Sequence, residues 1–374
     1  MATVNSSQAQ MDVPAPLPGS QPNSPQPTED LTEDVAEKSR SVVPYLLENS
    51  PEFRELSDVR QQGWDAPEGD KYFENLRQNA DKSDKKTATY FYKFMNTIGH
   101  ELDKATNAFK IQPVDSTPPA ILDICMAPGA FLEIALKKNP GSHALAFSLP
   151  VSCGGYRSRL ASGLNVKQVF LDVTMLAADM GVDQIPGGHE DSENFLPRQL
   201  DEGRLFDFAI CDGQVLRQHS RAPYRESREA RRLAATQLAL GLQHLRPGGT
   251  LIVLLHRLEA WNIANLIWMF HKISLVRLFK PKKGHAKRSS FYMVATNVES
   301  QHPEAVEAVR RWKEIWRIAT FGSDEEYGEM TLDKDQSVET LVEAFGPKLV
   351  KLGKPIWKTQ ANALAKAPFM KKPK

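Results

Sequence analysis

The chain has 374 residues, 41% of them hydrophobic and 25% charged, with a formal net charge of +1. This is the balance of an ordinary globular protein, long enough for one large α/β domain with appendages or for two domains. It excludes a uniformly basic nucleic-acid coat, so that any nucleic-acid site must be a local patch. Three scattered cysteines, Cys125, Cys153 and Cys211, form neither a disulfide framework nor a zinc pattern, so no metal site is expected and a reducing compartment is the natural home. No apolar run is long enough to cross a bilayer, and the first basic residue is Lys38, which argues against a secretory leader. A cytoplasmic or nuclear protein is expected.

Residues 1–40 are rich in Pro, Ser, Gln and acidic residues and read as a disordered tail. Pro14 to Pro18 offers a docking peptide for a proline-binding partner, set against the plainer reading of a solvated tail. Residues 41–112 turn helical, with apolar residues at three and four spacings in SVVPYLLEN, YFENLRQNA and ATYFYKFMNTIGHELDKATNAF. Ala120 to Phe131, AILDICMAPGAF, is apolar, contains Asp123, and then turns through Ala127, Pro128, Gly129 and Ala130 into the helical pattern FLEIALKK. Strand, small-residue turn and helix start suit a nucleotide-like ligand, because the turn admits the ligand to the backbone and the helix N-terminus offers unpaired N–H groups. No GxGxxG spacing occurs.

HALAFS, from His143, reads as a second strand, and Lys167 to Leu171 as a third with Asp172 at its carboxyl end, either a ligand acceptor or a helix cap. Residues 177–203 look like a polar surface insertion. Leu205 to Cys211 forms a fourth strand ending at Asp212-Gly213, where open α/β sheets bind ligands. A basic segment, Arg217 to Arg232, enters a helix over 227–245, its arginines set either against phosphates or on a solvated face. Thr250 to Leu255 is a continuous apolar fifth strand, Ile273 to Phe279 a sixth and Phe291 to Thr296 the last. Between the last two runs KPKKGHAKR, with Lys280, Lys282, Lys283, Lys287 and Arg288, is suited to phosphates and similar to a nuclear localisation signal. Residues 299–353 are charged and helical, and 354–374 read as a frayed basic tail.

The pattern D-x-x-x-A-P-G-x-F at Asp123 to Phe131, followed by FDFAICDG, LRPGGTLIV and RSSFYMVAT in order, resembles the FtsJ-like RNA methyltransferases, which methylate ribose 2′-hydroxyls. The resemblance spans roughly residues 88–297. It implies a Rossmann-like methyltransferase fold over 113–298, a seven-stranded, mostly parallel sheet with helical flanks, and S-adenosyl-L-methionine as cofactor with RNA as partner. Asp123, Ala127, Pro128, Gly129, Ala130, Phe131 and Asp212 would shape the cofactor pocket, and Asp172 would meet the adenine. Family catalysis uses a Lys-Asp-Lys-Glu tetrad, of which Lys93 and Asp212 match, while Leu254 and Ser290 stand at the other two positions. No carboxylate follows the second strand where the cofactor ribose is usually held. Residues two apart on a strand share a face, so His256 lies roughly 6.6 Å beyond Leu254 on the same side, placed to assume part of the missing lysine's role. Three readings follow: RNA 2′-O methylation, a non-catalytic module of the same fold binding RNA, cofactor or protein, and methylation of a small molecule or protein.

Overall fold

The computed structural model describes residues 42–65, 68–69, 85–112, 117–330 and 337–370. The Pro-rich tail and the YFENLRQNA segment lie outside them. A short helical segment, 42–49, leads into α1 (Pro51–Trp64), whose N-cap Ser50 accepts from Phe53 N–H and whose first residue is proline. Helix α2 (Lys85–Thr106) follows. Seven strands form one sheet in the order β3-β2-β1-β4-β5-β7-β6. They are β1 (Ala120–Asp123), β2 (His143–Ser148), β3 (Val166–Phe170), β4 (Phe206–Cys211), β5 (Leu245–His256), β6 (Leu275–Phe279) and β7 (Ser290–Val298). β1 to β5 pair in parallel, and β7 runs antiparallel between β5 and β6. The expected seven-stranded, mostly parallel sheet is present.

Central strands buried on both faces must be apolar throughout, and alternation decides only which layer each residue meets. Ile121, Phe208, Ile210 and Ile252 pack with α2 and with α3 (Ala130–Lys138). Leu122, Ala209, Cys211 and Leu251 pack on the opposite side with α4 (Glu229–Gln243), α5 (Trp261–Ile273), α6 (Pro303–Phe321) and α8 (Val338–Ala365). A short α7 (Asp324–Glu329) opens with a capping box between Ser323 and Glu326.

Two sequence expectations give way to packing, and a third is refined by it. Residues 354–365 are the second half of α8 rather than a frayed tail, because Ile356, Trp357, Ala361 and Leu364 return to one face at helical spacing and are buried while the lysines face outward. Residues 177–203 lie largely on the surface, as expected, but a few of them anchor the segment to the core. Ala177, Met180 and Leu200 are buried, and buried Asp179 accepts from the Gln199 and Leu200 N–H groups. The basic segment before α4 is neither solvated nor free for phosphates at Arg225, Arg228 and Arg232, all of which are buried. Arg225 bridges Glu229 at 2.7 Å and Asp172 at 2.5 Å; Arg232 bonds Thr320 Oγ1, Glu229 and the Thr174 carbonyl. Among the described residues no helix is long and apolar enough to cross a membrane.

Candidate active site

The carboxyl ends of β1, β2 and β4 stop short of one cleft, and the turns that follow supply its walls. Asp123 ends β1 and is 1% exposed; its Oδ1 accepts from Cys125 N–H at 3.2 Å. The register Asp123↔Ile210 brings Asp212, two residues further along β4, beside it in the cleft. Burial raises the Asp123 carboxyl well above the usual range, and the charge of Asp212 adds to the effect. Burial also raises Asp212, to about 7. No cationic side chain pairs with either among the described residues, so two adjoining carboxylates face the cleft uncompensated.

After Asp123 the chain turns through a cis Ala127–Pro128 bond into Gly129, the N-cap of α3. Gly129 has φ +105°, and a Cβ there would meet Leu160 at 2.8 Å, so this position admits glycine alone. Ala127 to Phe131 line the cleft beneath the helix N-terminus. Beyond β4, Gly213 N–H donates to Gln237 Oε1 at 2.8 Å and Gln237 Nε2 donates to the Gly213 carbonyl at 3.2 Å, so the α4 amide fixes the backbone that carries Asp212. A Cβ on Gly213 would overlap the Cys125 sulfur. Gln237 escaped sequence analysis; its one signal is a polar residue on the buried face of α4.

Asp172 lines the cleft past β3, but its carboxylate is already engaged. It caps a single turn by accepting from Thr174 N–H at 3.0 Å and Oγ1 at 2.8 Å, and takes Arg225 at 2.5 Å. The helix-cap reading is therefore met, while the carboxylate also stands at the edge of the cleft. Ser148, 4% exposed, lines the cleft at the end of β2 where no carboxylate stands.

Leu254, His256 and Ser290 line the opposite end together, β5 and β7 pairing His256 with Ser290. His256 is held down to about 4, by burial first and then by Lys280 and Arg288, which keeps its imidazole neutral near pH 7. Its Nε2 meets the Gln214 amide nitrogen, which as placed donates to it and leaves the ring proton on Nδ1.

Lys93 is not brought to the cleft. It is exposed, and the residues of α2 that line the cleft are Phe91 and Met95, two positions to either side and so across the helix from it. Lys280 is likewise misassigned by its sequence: it is 5% exposed, and its ammonium donates to the carbonyls of His285 (3.0 Å), Ser290 (2.6 Å) and Arg288. Lys282 and Lys283 are exposed on the same loop, Lys287 and Arg288 half-buried, and Arg288 lines the cleft. The aromatic wall formed by Phe91 and Tyr156, ring centroids 5.1 Å apart, was not foreseen.

A mostly parallel seven-stranded sheet with its last strand reversed, and a cleft over the ends of β1 and β4, is the Rossmann-like architecture of S-adenosylmethionine-dependent methyltransferases. Residues 98–298, more than half of the chain, match the FtsJ-like methyltransferase family, and the chain belongs to it. Its cofactor is accordingly S-adenosylmethionine. The residues fit that group, since a ligand carrying a sulfonium and an ammonium suits an enclosed carboxylate pair with no cation of its own. Among proteins of curated function none matches the chain in sequence. Solved structures similar to it include an O-methyltransferase family protein from Burkholderia thailandensis, 12% identical over 66% of this chain and 72% of that one, with a TM-score of 0.34. Human methyltransferase-like protein 13 in complex with SAH is 15% identical over 58% and 91%, with a TM-score of 0.31. An rRNA methylase from Streptococcus thermophilus is 11% identical over 48% and 87%, with a TM-score of 0.26.

Proposed function

We propose that the protein is an RNA methyltransferase that modifies a ribose 2′-hydroxyl, with Asp212 at the reacting centre. The observation that carries this reading is the position of Asp212, in one cleft with the Asp123 and Ala127–Gly129 turn on one side and His256 on the other. When bound, S-adenosylmethionine supplies a methyl carbon on a positively charged sulfur. The protein's part is to align a hydroxyl with that carbon and to take its proton as the new bond forms.

Asp212, raised to about 7, is a stronger base than an ordinary carboxylate and remains substantially ionised at neutral pH. His256 carries its proton on Nδ1 and orients the acceptor by hydrogen bonding rather than by charge, since at about 4 it is a weak base. The Gln237 amide pair holds Asp212 in register. Phe91, Tyr156 and Leu254 give the acceptor an apolar wall, which suits the flat face of a nucleoside.

One observation favours a second reading, a binding module of the same fold. Lys93 is turned away from the cleft, and Leu254 and Ser290 line it where the family resemblance leads one to expect a lysine and a glutamate. Methyl transfer from labelled cofactor to RNA, compared with the same RNA methylated beforehand at its 2′-hydroxyls, separates the two. Transfer that the blocked RNA abolishes supports the enzyme; tight cofactor binding with no transfer to any RNA leaves the binding module.

A further inference from the structure

The carboxylates of Asp123 and Asp212 suit the charged part of the cofactor, which leaves its adenosine to the rest of the enclosed space, between the ends of β2 and β3. Leu149, Leu171, Val173, Leu216 and Leu233 line that space, an apolar slot suited to a flat purine. Adenosine nevertheless brings ring nitrogens and ribose oxygens into it, acceptors that lose water on entering and need donors there. Asp172 at the slot's edge is no such donor, since its ionised carboxylate only accepts and already takes Thr174 and Arg225.

Among the described residues, one side chain lining this slot carries an N–H: His219, on the segment that follows β4. Its ring is fixed from behind. Leu216 N–H donates to His219 Nδ1 at 3.3 Å, and His219 N–H donates to the Leu216 carbonyl at 3.1 Å, which closes a tight turn. Arg221 braces that turn, its Nη1 donating to the carbonyls of Leu216 at 3.2 Å and His219 at 3.4 Å, while Glu226 takes the rest of the guanidinium. The turn also lies on the connection between β2 and β3. Ser220 N–H donates to the Cys153 carbonyl at 3.0 Å, and Gln218 Nε2 to the Gly154 carbonyl at 3.2 Å. Gly154, at φ +91°, comes so near that a Cβ on it would meet the Gln218 carbonyl oxygen at 2.4 Å. Two loops thus meet at the slot, and both line it, one with Tyr156 and the other with His219.

The imidazole is neutral near pH 7, because burial and then Arg221 hold it below the ordinary histidine range and outweigh Asp172 and Glu229. With Nδ1 accepting from Leu216, a neutral ring carries its one proton on Nε2. No described residue takes up that N–H, and the ring lines the cleft. We infer that His219 is a cofactor-binding residue that donates its Nε2–H to the adenosine of S-adenosylmethionine, either to a ring nitrogen of the adenine or to an oxygen of the ribose. It supplies from the β4 side an adenosine contact that the end of β2, with Ser148 and no carboxylate, does not provide. This role involves the cofactor alone and is independent of which acceptor is methylated.

The test is calorimetric titration of the full chain with S-adenosylhomocysteine, which presents the same adenosine and has no methyl group to transfer. His219→Ala is expected to weaken binding about ten-fold, and His219→Gln, whose amide keeps an N–H at similar reach, to recover most of that loss. Deaza forms of the adenine and deoxy forms of the ribose, each lacking one acceptor, separate the two candidate partners. The form that costs the wild type affinity but costs His219→Ala nothing further marks the atom that accepts the hydrogen bond. Unchanged affinity in His219→Ala overturns the assignment. So does a loss that glutamine leaves unrecovered and that simply adds to the penalty of every analogue, for a mere support of the loop would give that pattern. Either failure leaves the proposed methyl transfer standing, since the RNA assay reads it separately.

Discussion

At the scale of single residues, Asp212 links protonation to both binding and stability. Its ionised form is the one that attracts a sulfonium, so cofactor affinity is expected to rise as pH climbs through about 7 and to level off above it, read by calorimetry across roughly pH 5 to 8. For folding the sign is reversed. Between 3.8 and about 7 the folded chain holds a proton on Asp212 that the unfolded chain has released, so this carboxyl makes stability fall as pH rises through that window. His256, lowered from 6.5 to about 4, pushes the other way, because there the unfolded chain is the more protonated. The wild-type profile therefore mixes the two, and the difference between Asp212→Asn and wild type separates the Asp212 carboxylate, with the share of the Asp123 shift that its charge causes, from His256. The variant should be the more stable near neutrality, and methyl transfer should fall by about 100-fold or more. Full activity in Asp212→Asn would remove it from the chemistry. His256→Ala should cost transfer about ten-fold through lost orientation, and an unchanged rate would assign the imidazole to packing.

At the scale of elements, the turn between β1 and α3 is the most constrained piece of backbone around the cofactor. Gly129→Ala imposes both a φ of +105° and contact with Leu160, so a loss of about 1–3 kcal/mol in denaturant unfolding is expected, with cofactor affinity falling alongside it. Unaltered affinity would mean that the turn is scaffold rather than pocket. This turn was legible from sequence because its signal is local: an apolar strand, small residues and a helix start occur consecutively. The shared face of Leu254 and His256 was legible for the same reason, from a period of two. What stayed hidden depended on which face meets which neighbour. Lys93 stands among Phe91, Met95 and Ile98, whose spacing marks the buried face of α2 and leaves the lysine off it, so a signal existed but pointed away from catalysis. Arg225 and Arg232 gave no such warning, because their burial depends on partners far away in the chain, Asp172 and Thr320; Lys280 gave none because its partners, though close in sequence, are backbone carbonyls that any residue supplies.

Across the whole molecule, the terminal helices reach the cleft from behind. α1 and α8 pack on one another through Phe53 and Trp357, ring centroids 5.1 Å apart, and Trp357 is 1% exposed. From that pair Arg60 bridges to Glu259 and bonds Gln360 at 3.2 Å, while Gln360 Nε2 donates to the Lys287 carbonyl at 3.3 Å, inside the loop that bears His285 and Arg288. Pro347 and Pro355 both fall inside α8, and each removes a helical hydrogen bond, so the helix persists because burying its apolar face outweighs that cost. Trp357→Ala should therefore act at two distances. Deleting the indole leaves a cavity worth about 3–5 kcal/mol, measured as a lower denaturation midpoint, and it loosens the support of Arg60 and Gln360 behind the acceptor wall. Conditions in which the variant remains folded separate the effects: cofactor affinity, set by Asp123, Asp212 and the Gly129 turn on the far side of the cleft, should hold, while the rate of methyl transfer to RNA should drop. Equal losses at both ends would show the cleft to be one cooperative unit, with no separate linkage from the terminal helices to the acceptor end.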